Sequence, residues 1–375
     1  MKRLIKKIIV AIQSKRSLDR IVFESNPDFS DNSRAVYDEI MRRGYQKQYK
    51  MIWLCKGKGP FPSKENTYFV RQNAWGGLKA FWHSARAKYI ISGNMAYPKN
   101  GSYQKSIYVM HGVGLKKAGA YSIPDGIDYI TCLSETVNKV IAGELNVSSD
   151  VFVTTGFPRN DDLLNNKSNE VHSIFGDKYD KIIVWYPTYR QHSTACIQSN
   201  IKASSLPIIH DEESAQSINE YAKSNNALIV LKPHFSQDMS YIKELNLDHI
   251  LFINDSFFSK NHLSSYEFVG GCDALITDYS SIYFDYLLCD KPIAAVWEDI
   301  DEYRATRGFA FDIDYFEKGA FKIYNVNDMK EFIRQVCSGE DNLSEERREI
   351  RDIVHKYKDS NSTMRVVDFI MKSVS

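Results

Sequence analysis

The chain has 375 residues, 43% of them apolar and 13% aromatic, which is more than one ordinary core needs and points to two domains. Its 48 basic and 47 acidic residues leave a formal net charge of +1, which excludes the basic excess of a dedicated nucleic-acid binder. Six cysteines are scattered without a CxxC pair, and four lie in apolar runs, as buried free thiols do in a reducing compartment.

Residues 1–16, "MKRLIKKIIVAIQSKR", set Leu4, Ile5, Ile8, Ile9 and Ile12 on one helical face and Lys2, Arg3, Lys6 and Lys7 on the other. This pattern suits a helix lying on an anionic membrane surface; the alternative is a terminal helix packed on its own domain. The apolar run "IIVAI" is shorter than a signal-peptide core, and no segment approaches the ~20 apolar residues of a membrane span.

From 17 to 160, strands are expected at "RIVFES", "KMIWLC", "AKYIISG", "KSIYVMHG", "DYITCLSE" and "VFVTTGF", several separated by helical patterns such as "SRAVYDEIMRRGY". A polar stretch near 160–180 ends this half. The second half, 180–340, repeats the alternation with "KIIVWYP", "ALIVLKP", "HILFIND", "ALITD" and "KPIAAVW", and 341–375 reads as a charged helical segment. The expected architecture is α/β, two Rossmann-like doubly wound domains facing a central cleft. In such sheets ligands collect outside the carboxyl ends of the strands.

Those ends carry chemistry. "SIYVM" is followed by His111-Gly112, with Lys116 and Lys117 beyond; "VFVTT" by Gly156-Phe157-Pro158-Arg159-Asn160-Asp161; "IIVWY" by Pro187-Thr188-Tyr189-Arg190; "LIVL" by Lys232-Pro233-His234; and "ALI" by Thr277-Asp278-Tyr279-Ser280-Ser281. His, Lys, Arg, Ser and Thr at five strand ends form a phosphate-binding set. His83, His172, His192, His210, His249, His262 and His355 lack such neighbours and read as structural. In "ITDYSSIYFDYLLC" the hydroxyls fall where a strand gives way to a helix, whose first N–H groups bind anions. The competing reading is that Asp278 or Ser280 caps that helix.

There is no GxGxxG after a strand, no GxxxxGK[ST], no HExxH and no GxSxG. Asp299-Ile300-Asp301 and Asp312-Ile313-Asp314 are chance D-x-D matches, and no histidine and carboxylate spacing implies a metal cofactor.

The segments "HGVGLKKAG", "TGFPRND", "WYPTYR", "LKPHF" and "ITDYSSIYFDYLLCDKPI" resemble the CDP-glycerol:poly(glycerophosphate) glycerophosphotransferases, the primases and polymerases of teichoic-acid and capsule synthesis. "FESNPDFSDNSRAVYDEI" is similar to the family's Glu-Ser…Asp-Asn opening, and "RATRGFAFD" to its Arg-Gly-Phe segment. The resemblance implies a GT-B fold and a peripheral enzyme on the cytoplasmic membrane face. It implies transfer of a polyol phosphate, glycerol phosphate above all, from a CDP-polyol to a lipid-linked glycan or polyol-phosphate acceptor, with release of CMP. Carried over by motif, His111 and His234 are catalytic, and Arg190, Lys232, Thr277, Asp278, Ser280, Ser281 and Arg307 bind the donor phosphates. Glu267 is assigned to ribose or polyol hydroxyls, and Gly112, Lys116 and Arg159 to the acceptor side. The chain departs from the family at Val113-Gly114, where Thr-Pro is usual, at Phe235, and at "YFEKGAF", changes that bear on the polyol and the acceptor.

In the mechanism this suggests, His111 takes the proton of the attacking hydroxyl, a task suited to an imidazole titrating near ~6.5, while the cations neutralise the pyrophosphate. Two rivals are a GT-B glycosyltransferase using a nucleotide sugar and a non-catalytic scaffold of polysaccharide assembly. The first releases UDP or GDP instead of CMP; the second has no use for converging cations and hydroxyls.

Overall fold

The apolar runs are near-continuous rather than alternating, as expected of parallel strands covered on both faces, and they form two parallel sheets. The structure is a computed structural model that describes residues 7, 10–12, 18–72, 76–119, 121–188, 206–233 and 245–373. The first sheet contains β1 (Arg20–Glu24), β2 (Lys50–Cys55), β3 (Thr67–Arg71), β4 (Ala87–Ser92), β5 (Lys105–Tyr108), β6 (Tyr129–Cys132) and β7 (Phe152–Thr154), in the order β3-β2-β1-β4-β5-β6-β7. The second contains β8 (Lys181–Trp185), β9 (Ala227–Leu231), β10 (Ile250–Phe252), β11 (Ala274–Thr277), β12 (Ile293–Val296) and β13 (Phe321–Ile323), ordered β10-β9-β8-β11-β12-β13. Every pairing in both is parallel.

The strand order reverses between β1 and β4 in one sheet and between β8 and β11 in the other. These are the switch points at which doubly wound sheets receive ligands.

Each sheet has its own core. In the first, Phe23, Trp53, Tyr37 and Ile40 pack together; the Phe23 and Trp53 rings stack at 5.1 Å and Tyr37 meets both edge-on. In the second, Met329, Phe332, Ile333 and Val336 of the helix Val326–Ser338 bury against Ala215, Ile218 and Ala222 of the helix Glu212–Ser224.

Contacts divide the chain into two compact units, Met1–Val113 with Tyr121–Asp161 and Lys356–Ser375, and Gly114–Ala120 with Asp162–His355. These units divide the chain differently from the expected limits in two places. Residues 114–119 group with the second unit. The segment 341–375 is not one element: the helix Ser344–Val354 belongs to the second unit, while Val366, Val367 and Ile370 are buried in the first core. A surface rich in charge hid that apolar stripe. The proposed membrane-contact helix, 1–16, falls largely outside the described residues, and none of the described helices is long and apolar enough to cross a membrane.

Candidate active site

In the first unit, the loop after β1 holds the ends of the other strands. Asp28 accepts hydrogen bonds from the Lys56 and Gly57 amides beyond β2, at 2.7–3.0 Å. Buried Asn32 donates to the carbonyls of Val109 (3.2 Å) and Met110 (3.0 Å), which lead from β5 to His111. The Asn32 side-chain oxygen accepts the Arg159 amide at 2.9 Å. The Arg159 guanidinium pairs with Asp31 at 3.1 and 3.2 Å and donates to the His111 carbonyl at 2.5 Å. His111 itself is exposed, between Met110 at φ 56° and Gly112 at φ 130°. Few side chains tolerate that second angle, so glycine lets the chain turn immediately after the imidazole.

Arg159, which the family resemblance places on the acceptor side, is 7% exposed, and its guanidinium braces the His111 loop. Its neighbour Asp161 caps the helix Ser362–Asp368 by accepting the Ser362 and Thr363 amides at 2.9 and 2.8 Å. "TGFPRND" is therefore largely a structural staple of this unit.

In the second unit, the five residues of "TDYSS" divide their work. The Thr277 hydroxyl donates to the Tyr186 carbonyl at 2.9 Å. The Asp278 carboxylate, 1% exposed, accepts the Thr188 amide at 2.7 Å and also the Thr188 hydroxyl. Both residues thus stitch the end of β11 to the end of β8. Buried Tyr279 donates to Asp299 at 3.0 Å and packs with Tyr303 (4.1 Å between centroids) and Phe309 (5.4 Å). Ser280 and Ser281 remain half-buried, and among the described residues neither hydroxyl makes a hydrogen bond. Ser281 precedes the helix Ile282–Tyr286 without capping it. Capping does not account for these hydroxyls.

The "GLKKAG" segment lies across the same turn. Lys116 forms an antiparallel bridge with Phe309, the Lys117 amide donates to the Gly308 carbonyl at 3.2 Å, and the Ala310 amide donates to Leu115 at 2.8 Å. A side chain at Gly114 would place its Cβ 3.2 Å from the Ser281 nitrogen and 3.3 Å from its Cα, so glycine permits this approach. Arg307 follows the helix Ile300–Thr306, is half-buried, lies against Gly119, and has no carboxylate partner among the described residues. Ser281, Lys116 and Arg307 are thus carried by three mutually packed segments.

Lys232 follows β9 and reaches Asp255 at 3.1 Å; that carboxylate is 74% exposed, so the pair is weak and exchangeable for another anion. Glu267, which the family resemblance places at ribose or polyol hydroxyls, is engaged within the protein. It closes a capping box with Ser264, accepting the Ser264 amide at 2.8 Å and donating its own amide to the Ser264 hydroxyl at 3.0 Å. The Ser264…Glu267 spacing carried that signal in the sequence. Arg190 and His234 lie outside the described residues.

Other histidines have partners within the protein: His83 contacts Arg20, His172 Asp273, His210 Glu298, His249 the Ala227 carbonyl and His355 the Phe284 carbonyl. His192 lies outside the described residues. Among the described residues no group of three or more His, Cys, Asp or Glu side chains could hold a metal ion.

Sequence reasoning gave no role to Glu24, Asp31 or Asn32. All lie within the quoted opening "FESNPDFSDN", yet their partners are far along the chain and leave no local signature.

Comparison with known proteins agrees with this architecture. The chain is 27% identical over 340 residues to the teichoic acid poly(glycerol phosphate) polymerase of Bacillus spizizenii, covering 80% of this chain and 78% of that protein. It is 22% identical to the teichoic acid glycerol-phosphate primase of Bacillus subtilis, covering 92% and 91%. The wall teichoic acid polymerase TagF superposes with a TM-score of 0.75 at 18% identity, covering 98% of this chain and 93% of that one. A structure of the same polymerase soaked with CDPG gives 0.73 at 19% identity over the same shares. The two-sheet α/β architecture is thus that of a GT-B-like fold. The model of the CDP-Glycerol:Poly(glycerophosphate) glycerophosphotransferase family matches residues 7–372, and the chain belongs to that family.

Proposed function

We propose that this enzyme transfers glycerol phosphate from CDP-glycerol to a hydroxyl of a polyol-phosphate chain on a lipid-linked acceptor. The acceptor oxygen forms a bond to the β-phosphorus, the bond from that phosphorus to the bridging oxygen breaks, CMP leaves, and the hydroxyl proton passes to His111. Such reactions depend chiefly on positioning and charge neutralisation. Ser280, Ser281 and the helix start behind them hold the pyrophosphate, with Arg307 and Lys232 neutralising it, and Arg190 and His234 joining them on sequence grounds. Thr277 and Asp278 act one step back by fixing the turn. Lys116 lies beside the same turn and contacts the acceptor.

The observation that carries this reading is the division within "TDYSS". Three residues are fully engaged in holding the turn, while among the described residues two adjacent hydroxyls have no protein partner and the nearby Arg307 guanidinium has no carboxylate partner. The basic face of residues 1–16 supports docking on the cytoplasmic face of an anionic membrane. The test is CMP release by the purified protein with CDP-glycerol and membranes as acceptor source, with CDP-ribitol and a nucleotide sugar in parallel. Release of CMP from CDP-glycerol is expected; release only of UDP from a sugar nucleotide would replace this reading with glycosyl transfer.

A further inference from the structure

At the switch point of the first sheet, Glu24 ends β1 and is 2% exposed. Its Oε2 accepts the Asn94 and Met95 amides just past β4, each at 3.3 Å. Its Oε1 is buried and, among the described residues, accepts no hydrogen bond. An orphaned buried acceptor is costly, and the turn beside it is not sealed in a core, since Met95 is 47% exposed and Asn94 half-buried.

The surrounding groups define what such a site accepts. The Tyr108 phenol, at the end of β5, donates to the Asn94 carbonyl at 3.2 Å, and the half-buried Tyr121 phenol accepts the Ala96 amide at 2.9 Å. Burial pushes the Tyr108 phenol well up, with the Tyr121 phenol and the Glu24 and Asp31 carboxylates acting on it as close neighbours. Phenols both give and take hydrogen bonds, while carbonyls and a carboxylate oxygen take them, a mixture that matches neutral hydroxyls. Two carboxylates disfavour a phosphate here, although Arg159 offsets the charge of Asp31. His111 follows β5 in the same unit.

We propose that the carboxyl edge of β1, β4 and β5 is a hydroxyl-binding subsite for the polyol end of the acceptor, in which Glu24 Oε1 accepts a hydrogen bond from a hydroxyl and the Tyr121 phenol contacts its neighbour. The assignment of this ligand to the acceptor rests on the transfer reaction proposed above.

The test uses the full chain and an oligo(glycerol phosphate) with a free terminal hydroxyl, measuring its direct binding, its KM as acceptor, and CDP-glycerol affinity. In Glu24→Gln the remaining oxygen still accepts the two amides, so the turn persists while the free acceptor becomes an NH₂ donor. We expect a roughly tenfold weaker oligomer affinity and a matching rise in acceptor KM, with unchanged donor affinity. Tyr121→Phe should shift both acceptor values the same way by a smaller factor, and it decides the matter if Glu24→Gln does not fold. A folded Glu24→Gln protein with wild-type oligomer binding and acceptor KM would overturn the subsite, as would failure of the wild type to bind the oligomer. Glu24-dependent oligomer binding without CMP release from CDP-glycerol would sink the transfer reaction and leave the subsite standing.

Discussion

The two sheets reverse their strand order in the same way, yet the chain furnishes the two switch points differently. Between β1 and β4 it places a buried carboxylate and phenols, with a loop whose Asp28, Asp31 and Asn32 brace neighbouring strand ends. Between β8 and β11 it places the engaged pair Thr277 and Asp278, then two hydroxyls that make no hydrogen bond among the described residues, with Lys232 at the next strand end and Arg307 packed nearby. On the reading proposed above, one edge takes neutral hydroxyls and the other takes phosphate. A shared topology sets where a ligand binds, and side chains set which ligand.

The comparison breaks most sharply at His111. His111→Ala should lower CMP release by about 10²–10⁴-fold while CDP-glycerol still binds, if the imidazole is the general base; turnover assays with near-normal rates would remove it from that role. Next is its brace. Asn32→Ala removes three buried hydrogen bonds and should cost roughly 2–4 kcal/mol in thermal or denaturant unfolding. A loss of activity without a loss of stability would mean that Asn32 does more than hold the loop. Glu267→Ala sharpens the other side: it should cost about 0.5–2 kcal/mol as a lost cap and leave donor affinity unchanged, so weakened CDP-glycerol binding would restore a ligand role.

The smallest effect concerns pH. Burial, then the charge of Arg20, lower the His83 imidazole from 6.5 to about 4 in the folded state. Between those values the unfolded chain takes up a proton that the folded chain refuses. His83 therefore contributes stability above about 6.5 that is lost as pH falls towards 4. Solvent screening at this half-buried site limits the change to roughly 1–2 kcal/mol. Unfolding of His83→Gln measured from pH 7 to 4 should show a flatter decline; an identical slope would place the titration elsewhere.

Much of the fold was legible, because buried parallel strands are nearly continuous apolar runs. The strands not anticipated, β3 and β13, are edge strands; β3 is partly exposed along "TYFVR" and β13 has only three residues. The candidate site was legible as residue types at strand ends, but not as a division of labour. Whether Asp278 meets a ligand or Thr188 depends on a residue 90 positions away, and the position of Arg159 depends on Asp31, 128 positions away. Local spacing does not contain such pairings. The Glu267 capping box was readable, since it needs only four consecutive residues.

Calorimetric titration of CDP-glycerol into the wild type and a Ser280→Ala, Ser281→Ala double variant tests the account most directly. Among the described residues neither hydroxyl makes a hydrogen bond, so the account predicts an unchanged thermal midpoint and donor affinity weakened about tenfold or more, two lost hydrogen bonds to a charged group. Equal affinity in the two proteins would contradict it, leaving those serines as surface residues and the pyrophosphate without the cradle assigned to it.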